Sequence, residues 1–225
     1  MLSPFAIVAR SLRYLAPIAV LCAMVWAPIA LFAFGVAVPV NAGQARVVLR
    51  VVWLCAGSGM LALLVLVGAL APIVRGERVS QVVALGRGLH GLVRAIVPSV
   101  IVVCAVAMGL VALAVPGVLL YMLLVLAPAS DAEGVRAKLV DSMAIVRARW
   151  RSVAIVIGVT IIALAAVVAV QQLKLPIPLG KSPPREQLVL FPNMLRVTAL
   201  AMAGILPIAA VALAAIRASV TSGSR

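Results

Sequence analysis

Charged and aromatic residues are both scarce in this chain of 225 residues, whereas apolar residues are abundant. Only 11% of the residues are charged and 4% are aromatic, while 66% are hydrophobic and the mean hydropathy is +1.29. A soluble domain carries about 25% charged and about 45–50% apolar residues. A water-soluble fold of this length still exposes a large surface and cannot hide so many apolar side chains. The composition therefore predicts an all-α integral membrane protein, a polytopic helical bundle.

Acidic residues, cysteines and histidines are too few and too scattered to form a recognisable site. The single histidine, His90, has no partner at a metal-ligand spacing, and the three cysteines form neither a CxxC pair nor a Cys–His pair. No P-loop, GxSxG or HExxH motif is present. The sequence therefore predicts no catalytic residue, no metal site and no bound cofactor, and we expect a protein that is not an enzyme.

Long apolar runs separated by short polar stretches predict six membrane segments within a single domain, residues 1–225. A helix needs about 20 apolar residues to cross a bilayer. Hydropathy places the segments at about 14–38, 51–74, 97–115, 117–129, 152–170 and 197–216. Prolines inside the first and last segments, Pro28 and Pro207, predict kinks. Residues 171–196 contain five prolines, which exclude a regular helix, so we expect an extramembrane loop there.

The apolar block from residue 96 to residue 129 is too long for one crossing. As a single helix it would measure about 50 Å, against a hydrocarbon core of about 30 Å. Pro116 and Gly117 interrupt the block, and such a pair typically marks a turn. We expect a structural hinge at Pro116 and Gly117 that folds the block into a hairpin of two short helices.

The stretch between the second and third segments, residues 75–95, is amphipathic and basic. Arg87, Arg94 and His90 share one side of the predicted helix. The apolar stripe on the other side consists of Val82, Leu85, Leu89, Leu92 and Ile96. Three glycines in the stretch weaken helix propensity. Such a pattern between two spans predicts a helix that lies on the membrane surface.

A second amphipathic stretch follows the hairpin. Ser130 and Glu133 have the spacing of a capping box, so we expect a helix to begin there. Asp141 is expected to pair with Lys138 on the solvated side of this helix. The apolar stripe of the same helix would consist of Leu139, Met143, Val146 and Trp150. The stretch would then continue into the fifth segment.

The distribution of Lys and Arg predicts both termini on the cytoplasmic side of a bacterial inner membrane. With the hairpin, 13 of the 19 basic residues fall inside and six fall outside. If the block from 96 to 129 crossed once, the division would be ten against nine, which the positive-inside rule does not distinguish. We therefore expect the six-segment topology, with the N-terminus and the C-terminus in the cytoplasm.

The net charge of +14 has two interpretations. Nucleic-acid binding is disfavoured, because the basic residues flank apolar runs and no interleaved aromatic residues offer stacking platforms for bases. Positive-inside bias explains most of the charge. The remaining interpretation is contact with anionic lipid headgroups, which attract such residues by about 1 kcal/mol each. The candidate contacts would line one cytoplasmic face: Arg75, Arg78, Arg87, Arg94, Arg147, Arg149 and Arg151.

The stretch from Arg75 to Trp150 resembles a family of bacterial membrane proteins. Three segments carry the resemblance: RGERVSQVVALGRGLHGL, the Pro-Gly break in VPGVLLYMLLVLAPA, and AEGVRAKLVDSMAIVRARW with its central Ser142. They are similar to the membrane domain found with some glycerophosphoryl diester phosphodiesterases, and to its stand-alone relatives. The 225 residues contain no soluble phosphodiesterase domain. The resemblance therefore implies a membrane-embedded module without inherited catalytic residues.

Two functional hypotheses remain. The first is a non-enzymatic scaffold or accessory module that organises anionic lipid or packs with a partner, which would be another membrane protein or a second copy. Small-residue pairs such as Ala210 and Ala214 would serve helix packing. The alternative is a transport component for a lipid-like or apolar solute, with a cavity shaped by the proline kinks. The apolar runs hold no ionisable residue, which counts against ion-coupled transport and intramembrane proteolysis.

Overall fold

The computed structural model of the chain describes residues 9, 12–35, 42–76, 78–112, 114–174 and 191–221. Over these residues the chain is helical, without a β-strand. The α-helices, in chain order, are α1 (Leu15–Gly35), α2 (Ala42–Arg75), α3 (Gln81–Ala112), α4 (Ala114–Leu124), α5 (Val135–Ala148), α6 (Trp150–Lys174) and α7 (Phe191–Thr221). Two short 3-10 helices, Leu12–Tyr14 and Ala127–Ala129, lie before α1 and after α4. The predicted all-α fold is confirmed for the described part of the chain.

Three helical stretches are long and apolar enough to cross a membrane, namely Gln81–Val111, Trp150–Val167 and Leu200–Val220. Shorter apolar helical stretches cover Leu15–Trp26, Gly59–Arg75 and Val115–Ala129. Large apolar side chains are exposed along α3 and α6 in particular. Apolar surface of this extent is stable in lipid rather than in water. The molecule is therefore a helical membrane protein, as the composition predicts.

The core of the bundle surrounds the C-terminal half of α2. This half is buried on nearly all sides, and α1, α3 and α7 pack around it. The largest fully buried side chains include Leu66 and Leu70 from α2 and Leu213 from α7. Helix α6 packs mainly against α7 and is otherwise exposed, which places it at the edge of the bundle.

Helix α3 corrects the prediction of a separate helix on the membrane surface over residues 75–95. The amphipathic stretch and the third apolar segment form one helix, which runs through Pro98 and measures about 48 Å. The helix persists because its small residues let it pack lengthwise against α2. In the first half of the helix, the buried face consists of Ala84, Gly88, Gly91 and Ala95. Of the predicted apolar stripe, Val82 and Ile96 are instead exposed.

The chain does reverse within the block 96–129, but the turn comes earlier than Pro116. Helix α3 ends at Ala112 and α4 begins at Ala114, so Pro116 lies in the first turn of α4, where proline is tolerated. Gly117 packs back against α3: a Cβ on Gly117 would lie 2.7 Å from the backbone nitrogen of Leu110. The pair thus permits close helix contact, and the predicted break at these two residues is misplaced.

Helix α5 begins later than the capping-box pattern predicts. Its N-cap is Gly134, with a φ of +82° that favours glycine, and no side chain caps the helix. The buried residues of α5 are Lys138, Ser142, Ile145 and Val146. This face is rotated by one residue from the predicted stripe, and Trp150 is exposed. The rotation arises because the polar side of α5 packs inward, with the Ser142 hydroxyl donating to the Leu123 carbonyl oxygen at 2.7 Å.

Several predicted boundaries also move outward. Helix α2 begins at Ala42, well before the predicted residue 51. The predicted loop 171–196 is shorter than expected, because α6 extends to Lys174 and α7 begins at Phe191. The middle of that loop, residues 175–190, lies outside the described residues. Helix α7 continues through Pro207 to Thr221.

Candidate functional site

A close contact between α2 and α3 defines one end of the bundle. The helices are antiparallel, with Gly91 against Gly68 and Ala69, and Gly88 against Ile73. A Cβ on Gly91 would lie 3.0 Å from the Gly68 carbonyl oxygen, so the two backbones nearly touch. This contact places the basic half of α3 alongside the last two turns of α2.

A groove of about 450 Å³ opens beside this contact. Its floor contains Gly68, Gly86 and Gly91, which have no side chains to fill it. Basic and imidazole side chains line it: Arg75, Arg87, His90 and Arg94. Asp131 is the acidic residue among its lining. The groove therefore has an excess of positive charge, which suits an anionic ligand.

The wall opposite α3 is the 3-10 helix Ala127–Ala129 together with Ser130 and Asp131. The 3-10 helix is buried and packs against both α2 and α3. The Asp131 carboxylate forms an ion pair with both terminal nitrogens of Arg75. Both side chains are partly exposed, so the pair orients Arg75 more than it stabilises the fold.

Behind this wall lies a second and more buried ion pair. The Arg217 guanidinium is 2.8 Å from the Asp141 carboxylate, and the Arg217 side chain is only 5% exposed. The Ser130 hydroxyl donates to the same carboxylate and accepts from the Ala132 backbone N–H at 3.2 Å. Ser130 is thus part of the wall and not a helix cap. Asp141 pairs with Arg217, which corrects the predicted pairing with Lys138.

Lys138 is a further basic residue, on the helix that carries Asp141. Its relative exposure is 8%, although the sequence predicts it on the solvated face of α5. Its side chain makes no hydrogen bond or ion pair with a residue in the described part of the chain, and its backbone N–H donates to the Gly134 carbonyl oxygen at 3.2 Å. Burial lowers the pKa of Lys138, and the nearby charges of Arg94 and Arg217 lower it further.

The groove extends from the C-terminal end of α2 back along that helix toward Gly68. Arg87 lies beside Gly76, at the end of α2, whereas Ala95 lies beside Gly68. Arg94 is therefore about 10 Å further along the helix axis than Arg87. The apolar stretches Gln81–Val111 and Leu200–Val220 contain Arg94 and Arg217, respectively. Both residues lie just outside the predicted segments 97–115 and 197–216, but inside the longer apolar stretches of the structure.

The candidate basic residues separate into two groups. Arg75, Arg87 and Arg94 line the groove, and we call them the groove arginines. Arg78 lies outside it, in the bend before α3. The other three, Arg147, Arg149 and Arg151, lie at the junction of α5 and α6, and we call them the junction arginines. There the Arg151 guanidinium lies 5.7 Å from the centre of the exposed Trp150 ring.

Sequence patterns alone did not reveal the residues of the wall. Ser130 and Asp141 have ordinary local interpretations, and their contact with Arg217 spans more than 75 residues of sequence. The available signal is the basic residue near the end of the last apolar run, since an ionisable group there needs a partner. Within the described residues, no three His, Cys, Asp or Glu side chains are grouped to hold a metal ion.

The arrangement is suited to binding an anion. The groove offers guanidinium groups, and guanidinium matches the geometry of phosphate oxygens. Comparison of the chain with protein-family models, with curated proteins and with solved structures gave no match in any of the three. The resemblance to the phosphodiesterase-associated membrane domain therefore stays a prediction.

Proposed function

We propose that this chain is a non-enzymatic module of the bacterial cytoplasmic membrane that binds the anionic headgroup of a membrane lipid at the cytoplasmic leaflet. The observation that carries the proposal is the groove, where Arg87 and Arg94 have no acidic partner among the described residues. Each such cation near the membrane surface attracts an anionic headgroup by about 1 kcal/mol. Free cations gathered in a groove are better placed for a ligand than cations already paired.

The surface of α3 supports a lipid as the ligand. Arg87, His90 and Arg94 begin a stripe that continues with Val97 and Ile101 at helical spacing. All five side chains are exposed, with Val97 at 60% and Ile101 at 38%. The stripe is thus basic in its first half and apolar in its second. A phospholipid has the same order, with an anionic headgroup followed by acyl chains.

The groove would face the cytoplasm, with both termini on that side and six membrane segments, as the distribution of basic residues predicts. A phosphatase fusion at Arg149 tests this orientation, because the enzyme is active only outside the cytoplasm. We expect an inactive fusion at Arg149 and an active fusion within residues 181–185. An active fusion at Arg149 would contradict the topology.

The binding experiment compares two double variants that remove the same charge. Arg87→Gln with Arg94→Gln empties the groove of its unpaired cations, whereas Arg147→Gln with Arg151→Gln removes two junction arginines. Binding of a fluorescent phosphatidylglycerol to the full chain in nanodiscs is measured at fixed salt. At about 1 kcal/mol per cation, the groove variant should bind about 30-fold more weakly.

The junction variant is the matched control, and its affinity should change less than about threefold. Equal losses in both variants would mean that overall surface charge attracts the lipid, and the groove would have no special role. Unchanged affinity in the groove variant would refute the proposed function. Phosphatidylcholine, whose headgroup has no net charge, should bind weakly to the wild-type chain and to both variants.

Transport of a lipid-like solute is the second candidate, and the spacing of the groove cations favours it. Arg87 and Arg94 lie about 10 Å apart along the axis of α3, so a headgroup could move from one to the other. Fluorescent lipid transfer between leaflets of proteoliposomes distinguishes the two functions. Transfer that depends on Arg94 would favour transport, whereas binding without transfer favours the lipid-binding module.

A further inference from the structure

One of the groove arginines already holds an anionic group in this structure. The two terminal nitrogens of Arg75 contact the two carboxylate oxygens of Asp131, with Nη2 of Arg75 3.0 Å from Oδ1 of Asp131. A guanidinium binds two oxygens of a phosphate in the same two-point geometry. The Asp131 carboxylate therefore marks a position in the groove wall where an oxyanion fits.

A second contact holds Arg75 independently of Asp131. The Arg75 Nε donates to the Ala71 carbonyl oxygen at 3.3 Å, one turn earlier on α2. This hydrogen bond uses the inner nitrogen of the guanidinium and leaves the two terminal nitrogens for an anion. The guanidinium would therefore stay in position, ready to bind another anion, if the carboxylate moved away.

The Asp131 side chain is able to leave this contact. Its exposed fraction is 56%, so water would solvate the released carboxylate. The preceding residue, Ser130, is fixed, because its hydroxyl donates to the Asp141 carboxylate and accepts from the Ala132 backbone N–H at 3.2 Å. The wall would thus keep its backbone while one exposed side chain turned. Exposed ion pairs change an equilibrium by at most about fivefold, so a bound phosphate is able to replace the carboxylate.

We propose that the Arg75 guanidinium is an anion subsite of the groove, which the Asp131 carboxylate occupies as an internal competitor and which the phosphate of a bound lipid takes over. This inference rests on the proposed function, since it takes the ligand to be an anionic lipid. Arg87 lies at the same end of the groove: its Nη1 is 3.0 Å from the position of a Cβ on Gly76, the residue after Arg75. A phosphate on Arg75 would therefore also lie near Arg87.

Carboxylate footprinting detects the exchange directly. The full chain in phosphatidylcholine nanodiscs, with or without phosphatidylglycerol, is treated with a carbodiimide and glycine ethyl ester, and the modified carboxylates are quantified by mass spectrometry. We expect phosphatidylglycerol to raise the modification of Asp131 about two- to threefold, because the released carboxylate faces water. Glu133 is exposed and does not line the groove, so its modification should stay constant.

The sign of this change separates exchange from a permanent ion pair. A ligand that leaves the Arg75–Asp131 pair intact either covers Asp131 or does not touch it. Lower or unchanged modification of Asp131 with phosphatidylglycerol bound would therefore overturn the subsite. An equal rise at Glu133 would also overturn it, because the reagent would then report a general opening of this segment.

Dissociation constants for phosphatidylglycerol test the competition. Asp131→Asn should bind about three- to fivefold more tightly than wild type, because Arg75 loses its internal competitor. Glu133→Gln is the matched control: it removes the same charge two residues away, outside the groove, and should change affinity less than about twofold. Unchanged or weaker binding by Asp131→Asn, in protein whose thermal unfolding matches wild type, would overturn the subsite, as would equal tightening by both variants.

The double variant Arg75→Gln with Asp131→Asn tests the contact with Arg75 itself. It should bind phosphatidylglycerol about fivefold more weakly than Asp131→Asn alone, since one cation near the headgroup contributes about that factor. Equal affinities of these two variants would overturn the subsite. Wild-type binding that depends on Arg87 and Arg94 would then still support the proposed function, whereas no binding by wild-type protein would refute the proposed function itself.

Glycerophosphoglycerol, the phosphatidylglycerol headgroup without acyl chains, separates a lipid from a soluble phosphodiester as the ligand. We expect it to leave Asp131 modification unchanged below millimolar concentration, because it lacks the acyl chains that would lie along Val97 and Ile101. A rise in Asp131 modification at micromolar concentration would identify a soluble phosphodiester as the ligand and overturn the lipid proposal.

Discussion

The groove arginines and the junction arginines have the same residue type and the same predicted location, yet their surroundings differ. The groove arginines lie where two helices nearly touch, beside a wall held by ion pairs. The junction arginines lie around an exposed tryptophan at the start of α6. A groove therefore forms around only one of the two clusters. Glycines leave space in it, and a buried polar network lies behind its wall.

The largest expected effect concerns the buried network that supports the groove. Asp141→Asn leaves Arg217, which is 4% exposed, without its carboxylate partner. Breaking a buried ion pair on one side typically costs about 3–5 kcal/mol. Because Asp141 is itself one-third exposed, we expect a loss near the lower end, about 3 kcal/mol. Equilibrium unfolding by SDS in mixed micelles measures it.

The double variant Asp141→Asn with Arg217→Met removes both charges and is the control for this effect. It should be more stable than the single variant, because no unpaired charge remains in the buried site. Loss of lipid binding should accompany the single variant, since Ser130 and the wall lose their anchor. If the single variant unfolds like wild type, the network does not hold the wall in place.

The second-largest effect is expected at Gly91 of α3, and Gly86 on the same helix is its control because the two glycines differ in their neighbours. A Cβ on Gly91 would meet the backbone of α2 at 3.0–3.2 Å, whereas a Cβ on Gly86 would meet nothing within 4 Å. We expect Gly91→Ala to destabilise the fold by about 1–3 kcal/mol. Gly86→Ala should stabilise it by up to about 1 kcal/mol, because alanine favours the helix. Similar values from SDS unfolding would contradict the close packing of α2 and α3.

A smaller effect is expected at the outer end of the groove. The Tyr14 hydroxyl, on a buried side chain, donates to the Gly76 carbonyl oxygen at 2.6 Å and ties the segment before α1 to the end of α2. Tyr14→Phe removes this hydrogen bond and should cost about 1 kcal/mol. Phosphatidylglycerol affinity should change less than about twofold, since Tyr14 does not line the groove. A tenfold loss of affinity would place Tyr14 in the binding site.

The smallest effect is expected at the junction. Arg151→Gln removes a cation that contacts only the exposed Trp150 ring among the contacts described. Exposed contacts of this kind contribute about 0.5–1 kcal/mol at most. SDS unfolding should therefore shift by less than about 1 kcal/mol, and lipid affinity should remain near wild type. A shift of 2 kcal/mol or more would show that the junction arginines stabilise the fold, a role that we attribute to the residues around the groove.

Composition and hydropathy predicted the helical membrane fold, and the reversal after α3 was also predictable, because no single crossing accommodates the block 96–129. The length of α3 was not predictable from the sequence. The glycines at positions 88 and 91 lower helix propensity in isolation, but they permit the contact with α2 that stabilises the helix. Helix propensity describes an isolated helix in solvent, whereas here packing against α2 determines how far α3 extends.

The candidate site was predictable in part. Charge and amphipathicity indicated the groove arginines, since both signals are local in sequence. The wall was not predictable, because the contact between Ser130 and Arg217 joins residues 87 apart. Lys138 was placed on the wrong face of α5 for a related reason. An apolar stripe predicts which side packs inward only when the partner surface is apolar, and α5 packs on a polar network.

Covalent mapping of bound lipid tests the central claim most directly. A phosphatidylglycerol with a photoreactive headgroup is bound to the wild-type chain in nanodiscs and activated, and the labelled peptides are identified by mass spectrometry. We expect labelling concentrated in residues 81–95 and 127–131, and its loss in the Arg87→Gln, Arg94→Gln variant. Labelling concentrated in residues 147–151, or spread evenly over the basic segments, would contradict it.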